Sequence, residues 1–310
     1  MSPQRPPAFL CYDGSEDADH AIRAAAAVLA PRPAVVAHVW ESLAALLLHT
    51  DVRSLAGPMK DAAQELDAGD EEDARRVVDR GVGVAREAGF DSRALVARGR
   101  PKAWPTLLEA ADAEDAAVVV VGSRGLSGAM SALLGSVSAG VLHHSRRPAL
   151  VVPPGRVGDG PLLLAYDGSD LAKDAMRRAA DLLRPGPAVV VTAWTAYGAV
   201  ASVDVLGGPG TIDPETQQQV DAEIVRGAEH VAGEGAELAR ALGFEAEPAA
   251  ALSGGSVWRA LVDYCGESMA AAIVIGSHGR GRLASTIMGS VSRALIHHAP
   301  APVLVVPPDQ

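Results

Sequence analysis

The sequence predicts an α/β protein built from two tandem doubly wound domains, and three observations predict it. The chain repeats itself at a single offset of 154 residues, so that Tyr12-Asp13-Gly14-Ser15 falls on Tyr166-Asp167-Gly168-Ser169. Within each copy short apolar runs alternate with helical patterns, the order that yields a parallel sheet covered by helices. The runs "AAVVVVG" and "AAIVIG" are continuously apolar, as strands buried on both faces are.

The elements follow in order in both copies. "AFLCYD" and "PLLLAYD" read as first strands, each ending in Asp. The next helix puts Ile22, Ala25 and Leu29 on one face, and Met176, Ala179 and Leu183 in the second copy. "AVVAHVW" and "AVVVTAW" are second strands. A long helix follows; in the second copy Val220, Ile224, Ala228, Val231, Leu238 and Leu242 form its expected apolar stripe. In the first copy the stripe is weaker, with Asp70 where Ile224 stands. Gly89 and Gly243 stop these helices. "RALVA" and "AEPAAA" are third strands, helices around Trp104–Ala113 and Trp258–Cys265 follow, and "PALVVPP" and "APVLVVPP" are last strands. The proline- and glycine-rich stretch Pro153 to Pro161 reads as a linker, giving domains 1–154 and 161–310.

The bulk numbers narrow the function classes. A length of 310 residues suits two domains, and 48% apolar residues supply their cores, mostly as aliphatics and alanine because aromatics are 4%. A formal charge of −11 argues against nucleic acid and against anionic membrane surfaces, both of which need a basic face. No signal peptide is read at the start, and no apolar run approaches the roughly 18 residues of a membrane span. Cys11 and Cys265 are too few for a disulfide framework, so the expectation is a reduced, cytoplasmic protein.

The chemistry gathers at the loop after the fourth strand. In an open parallel sheet ligands bind beyond the carboxyl ends of the strands, where strand order reverses. Asp13 or Asp167 ends the first strand there, and a glycine-rich loop follows the fourth. Gly122, Gly125, Gly135 and Ser136 match Gly-x2-Gly-x9-Gly-Ser, and so do Gly276, Gly279, Gly289 and Ser290. Glycines let backbone N–H groups approach an anion, and the helix starting at Gly135-Ser136 or Gly289-Ser290 adds a positive dipole end and a hydroxyl. The residues read as a nucleotide pocket in each half. Other phosphate loops do not fit: the three lysines, Lys60, Lys102 and Lys173, include none after a glycine, so there is no P-loop.

With this pattern written twice, the chain resembles the universal stress protein family in its tandem form. The resemblance spans nearly all of both halves. It implies two Rossmann-like domains of the adenine nucleotide α-hydrolase-like type, each with a five-stranded parallel sheet, and ATP as ligand, with or without Mg²⁺. It also implies a nucleotide-dependent stress-response role, with a slow ATPase or phosphotransferase as the alternative. By resemblance Asp13 and Val39 lie near the nucleoside, while Gly122, Arg124, Gly125, Gly135 and Ser136 hold ribose and phosphates. The second site uses Asp167, Gly276, His278, Gly279, Gly289 and Ser290, with Ala193 in place of Val39. The loops also diverge, with Arg124, Leu126 and Gly128 in one and His278, Arg280 and Arg282 in the other.

Plainer readings stand beside these. The glycine loop could be a tight turn for packing, and Asp13 and Asp167 could serve Asx-turns, with Ser15 and Ser169 as helix caps. The pairs His143-His144 and His297-His298 are adjacent on a helix and so do not share a face for a metal; they suit a helix C-terminus. Cys11 and Cys265 read as small core residues and Trp104 and Trp258 as packing anchors. The apolar last strands are expected to pair, Ala149–Val152 against Val303–Val306 in antiparallel sense, as an intramolecular version of the family dimer that leaves room for a further homo-oligomer.

Overall fold

The computed structural model describes residues 5–42, 57–99, 102–124, 134–155, 158–196, 213–279 and 288–309. The chain divides into two compact units, Met1–Pro154 and Gly155–Gln310.

In the first unit β1 (Ala8–Cys11), β2 (Pro33–Trp40), β3 (Asp91–Arg98), β4 (Val118–Gly122) and β5 (Ala149–Val152) lie in the order β3-β2-β1-β4-β5. All their pairings are parallel. Parallel neighbours need crossover helices. These are α1 (Glu16–Val28), α2 (Pro58–Glu87), α3 (Ala103–Ala113) and α4 (Ser136–His144). Helices α1 and α2 touch each other on one face of the sheet; α3 and α4 touch each other on the opposite face. Order reverses between β1, which leads to β2, and β4, which lies on its other side.

The second unit repeats the plan with β6 (Leu162–Ala165), β7 (Pro187–Thr195), β8 (Glu245–Ser253), β9 (Ala272–Gly276) and β10 (Val303–Val306), in the order β8-β7-β6-β9-β10 and again all parallel. Its helices are α5 (Asp170–Leu182), α6 (Pro214–Ala241), α7 (Val257–Glu267) and α8 (Ser290–His298).

Both cores are aliphatic. Phe9, Leu10, Ile22, Leu29, Val35 and Leu150 are fully buried in the first unit, as are Leu163, Leu164, Leu183, Ile273, Leu295 and Leu304 in the second. Each such side chain contributes about 1.5–3 kcal/mol by leaving water.

The long helices depart from the expected stripe. In α6 the buried side chains are those of Ala228, Ala232, Ala236 and Ala239, with Gly235 buried among them, while Val220, Ile224, Val231 and Leu238 are only half-buried. Small side chains let the helix lie close to β7 and β8, and the larger aliphatics flank the seam. Gly89 and Gly243 do end these helices: each follows the last turn with φ of 97° and 98°, and Phe90 N–H donates to Ala85 O, the closure a left-handed glycine permits. No helix among the described residues is long and apolar enough to cross a membrane.

Candidate functional site

The site of each unit starts at the turn after its first strand. Tyr12 N–H donates to Ala37 O at 2.9 Å, so the chain stays on the sheet through Tyr12. Gly14 then turns it with φ of 86°, and Gly168 does the same at 81°; a side chain in this left-handed region would cost about 1–2 kcal/mol. Asp13 Oδ1 accepts from Ser15 N–H at 3.0 Å and from Ser15 Oγ–H at 2.6 Å. Ser15 Oγ in turn accepts from Ala18 N–H at 3.1 Å and caps α1. Asp167 and Ser169 reproduce these bonds at 3.0 and 2.6 Å, with Ala172 at 3.2 Å. The Asx-turn and the cap are therefore both real, and they hold each carboxylate at the crevice.

The glycine loop is closed at its base by the backbone. Ser123 N–H donates to Val152 O at 2.7 Å, and Gly135 N–H donates to Ser123 O at 2.8 Å. Ser138 Oγ–H donates to Gly122 O at 2.6 Å. The second unit matches, with Ser277 to Val306, Gly289 to Ser277, and Ser292 Oγ–H to Gly276 O at 2.9 Å. Gly135 and Gly289 are the N-caps of α4 and α8 and make no side-chain cap bond. The first-turn N–H groups thus have no capping side chain among the described residues and carry the positive end of the helix dipole.

These parts enclose one cavity per unit. Asp13, Val39, Gly122, Arg124, Gly135 and Ser136 all line the first, of about 240 Å³. Asp167, Ala193, Gly276, His278, Gly279, Gly289 and Ser290 all line the second, of about 450 Å³. Apolar walls come from Ala37 and Leu107 in one and from Val191 and Leu261 in the other. Gly125, Leu126, Gly128, Arg280 and Arg282 lie outside the described residues. Gly279 does not have a left-handed backbone; its constraint is proximity, since a Cβ there would stand 3.3 Å from Asp167 Oδ2. His278 Nδ1 lies 2.9 Å from Ser277 Oγ, and its Nε2 is buried with no hydrogen-bond partner among the described residues.

The change from Val39 to Ala193 has a companion. A Cβ on Gly99 would come within 2.4 Å of Val39 Cγ1. At the equivalent position the second unit carries Ser253, 1% exposed, and alanine in place of valine makes room for it.

Several contributors escaped the sequence reading. The ring of Tyr12 lies against Gly81 of α2, where a Cβ would meet it at 2.6 Å, and Gly235 receives Tyr166 in the same way at 2.6 Å. Tyr12 Oη–H donates to Asp19 Oδ1 at 2.6 Å. Burial, then this bond, raises its pKa above the ordinary phenol value. Cys11 is half-buried and lines the first cavity rather than serving only as core; burial, with the Asp13 carboxylate adding, pushes its thiol from 9.0 up to about 12. His38 of β2 also lines that cavity. The histidine pairs have a further use: His144 stacks on Trp104 at 4.3 Å between ring centroids, and His298 on Trp258 at 4.6 Å.

A parallel sheet with helices on both faces, a fixed carboxylate after the first strand and a backbone-closed glycine loop at the strand switch together define a tandem Rossmann-like protein. The universal stress protein family model matches residues 8–153 and 160–307, and the chain belongs to that family. A universal stress protein of Mycolicibacterium smegmatis is 29% identical, the match covering 96% of this chain and 95% of that one. One from Mycobacterium tuberculosis is 29% identical over 76% of this chain and 77% of its own length. The fold agrees with the crystal structure of a universal stress protein from Archaeoglobus fulgidus, with a TM-score of 0.59 at 20% identity, covering 98% of this chain and 99% of that one.

Proposed function

We propose that each domain, 1–154 and 161–310, binds one adenine nucleotide, with ATP as the ligand, and that the protein acts as a nucleotide-responsive regulator in stress adaptation. The observation that carries this reading is the convergence, in each cavity, of an uncapped helix N-terminus with a glycine loop at one side and a fixed carboxylate with apolar walls at the other. The residues present suit the ligand. Backbone N–H groups of the α4 and α8 first turns and the hydroxyls of Ser136 and Ser290 would hold phosphates, with or without Mg²⁺. Among the described residues His278 Nε2 is buried without a partner, and a phosphate oxygen would supply one. Asp13 and Asp167 suit a ribose hydroxyl or a base amino group.

The test is release of bound nucleotide from purified, denatured protein, identified by mass spectrometry, followed by calorimetry. A stoichiometry of two is expected, and absence of any adenine nucleotide binding overturns the reading. His278 also favours a second reading, a slow ATPase or phosphotransferase. Single-turnover assays decide between them, since sustained turnover above about 1 s⁻¹ is ordinary for a working enzyme and would exclude a passive regulator.

We further propose that the last strands pair, Ala149–Val152 with Val303–Val306, because apolar edge strands of the same sequence character satisfy one another's backbone. Cysteines introduced singly along each strand should crosslink within one chain on oxidation; crosslinks only between chains would overturn the pairing.

A further inference from the structure

The two cavities differ at the end away from the glycine loop. The loop follows β4, and β2 lies two strands away across β1, about 10 Å at the usual strand spacing. A ligand whose anionic end meets the α4 N-terminus therefore brings its other end to β2. There the first cavity is walled by Ala37, His38 and Val39, with Ala103 and Leu107 of α3 also lining it. These apolar groups suit a flat ring, and His38 is the polar side chain that β2 adds to them.

The tautomer of His38 is fixed by its neighbour. Its Nδ1 lies 2.8 Å from Tyr12 O. A carbonyl only accepts, so Nδ1 carries the proton and the neutral ring presents Nε2 as an acceptor. The second unit has Thr192 at this position, and its hydroxyl donates to Tyr166 O at 2.9 Å. Thr192 does the same backbone work, but the wall that β7 gives its cavity is Val191 and Ala193. No acceptor side chain stands there among the described residues of β7.

We propose that His38 makes the first cavity selective for a purine with a hydrogen-bond donor at its 6-position, an amino group rather than an oxo group, and that the second cavity accepts both. The inference rests on the nucleotide reading above. ATP and inosine triphosphate share ribose and phosphates and differ where a 6-amino donor becomes a 6-oxo acceptor. Against an acceptor nitrogen that faces the 6-position the first makes a bond and the second sets two acceptors face to face, its N1–H donor lying one ring atom away.

Calorimetry of the full chain with each nucleotide tests it. The first cavity should bind ATP at least about tenfold more tightly than inosine triphosphate, the scale of one such hydrogen bond, and the second should bind both alike. His38→Thr copies the second unit and keeps a donor for Tyr12 O. It should abolish the preference while both cavities still bind ATP. In wild-type protein with nitrogen-15 histidine, the His38 Nε2 resonance should move with ATP and stay with inosine triphosphate. Equal binding of the two nucleotides at both cavities overturns the inference alone, as does an unchanged preference in His38→Thr. Failure of ATP to bind either cavity overturns this inference and the parent reading together.

Discussion

Arg80 Nη2 donates to Asp19 Oδ2 at 2.8 Å, joining α2 to α1 beside the Tyr12 hydroxyl. The equivalent positions in the second unit carry the opposite charges: Lys173 stands for Asp19 and Glu234 for Arg80. Both flank Tyr166, whose raised pKa comes first from burial, with Lys173 acting to lower it and Glu234 to raise it. One chain thus holds both signs of the same arrangement.

The charges should therefore be exchangeable only as a pair. Asp19→Lys alone sets two cations side by side and removes the acceptor of Tyr12, so it should lower the melting temperature by a few degrees. Adding Arg80→Glu should recover part of that loss. Equal melting temperatures for the single and double variants would show that the two residues are not coupled.

A similar exchange is predicted at the wall of the cavity. Gly99→Ser places a Cβ 2.4 Å from Val39 Cγ1 and should destabilise the first unit by about 1–3 kcal/mol, as overpacking does. Val39→Ala with Gly99→Ser recreates the Ala193 and Ser253 pair and should be less destabilised than Gly99→Ser alone. Denaturant unfolding of Gly99→Ser, of Val39→Ala and of the double variant measures this; additive losses would mean the two positions do not share space.

Gly279→Val should disable one cavity and spare the fold. Its Cβ would stand 3.3 Å from Asp167 Oδ2, at a cavity that Gly279 itself lines. Nucleotide stoichiometry should fall from two to one with little change in melting temperature. An unchanged stoichiometry would remove Gly279 from the cradle.

The two thiols set an alkaline limit. Cys11 is raised from 9.0 to about 12, and burial raises Cys265 from 9.0 to about 11. Below pH 9 the thiols are protonated folded or unfolded, and their contribution to stability is fully present. Above it the unfolded chain ionises while the folded one resists, so stability falls as pH climbs toward 11 and 12. Tyr12, Tyr166 and Tyr264, also raised by burial first, add to the same fall. Cys11→Ala, the residue of the second unit, should flatten the loss in thermal melts between pH 9 and 11. At neutral pH both thiols should react slowly with iodoacetamide.

What the sequence made legible was local chemistry. Asp13-Gly14-Ser15 specifies a turn, a cap and a fixed carboxylate within three residues, and the loop from Gly122 to Ser136 names its own helix start. The long helices were harder to read. Periodicity weighs Val, Ile and Leu, whereas α6 packs its alanines inward because closeness to the sheet mattered more than side-chain size. The fit of Tyr12 to Gly81 joins residues far apart in the chain, and nothing beside either one announces it. His38 looked like a strand residue because what fixes its ring is the carbonyl of Tyr12, just past the end of a neighbouring strand.

The stacked ring pairs make each unit luminous in a useful way. Trp104 and Trp258 each lie face to face with an imidazole, His144 at an interplanar angle of 8° and His298 at 23°. Those imidazoles belong to the last turns of α4 and α8, whose first turns border the cavities. Binding that moves the near end of either helix should shift the far-end ring across the indole and so change the indole emission. Ultraviolet fluorescence should therefore report occupancy, and the change should vanish in Trp104→Phe or Trp258→Phe, because each half holds a second tryptophan, Trp40 or Trp194, that lacks this stack.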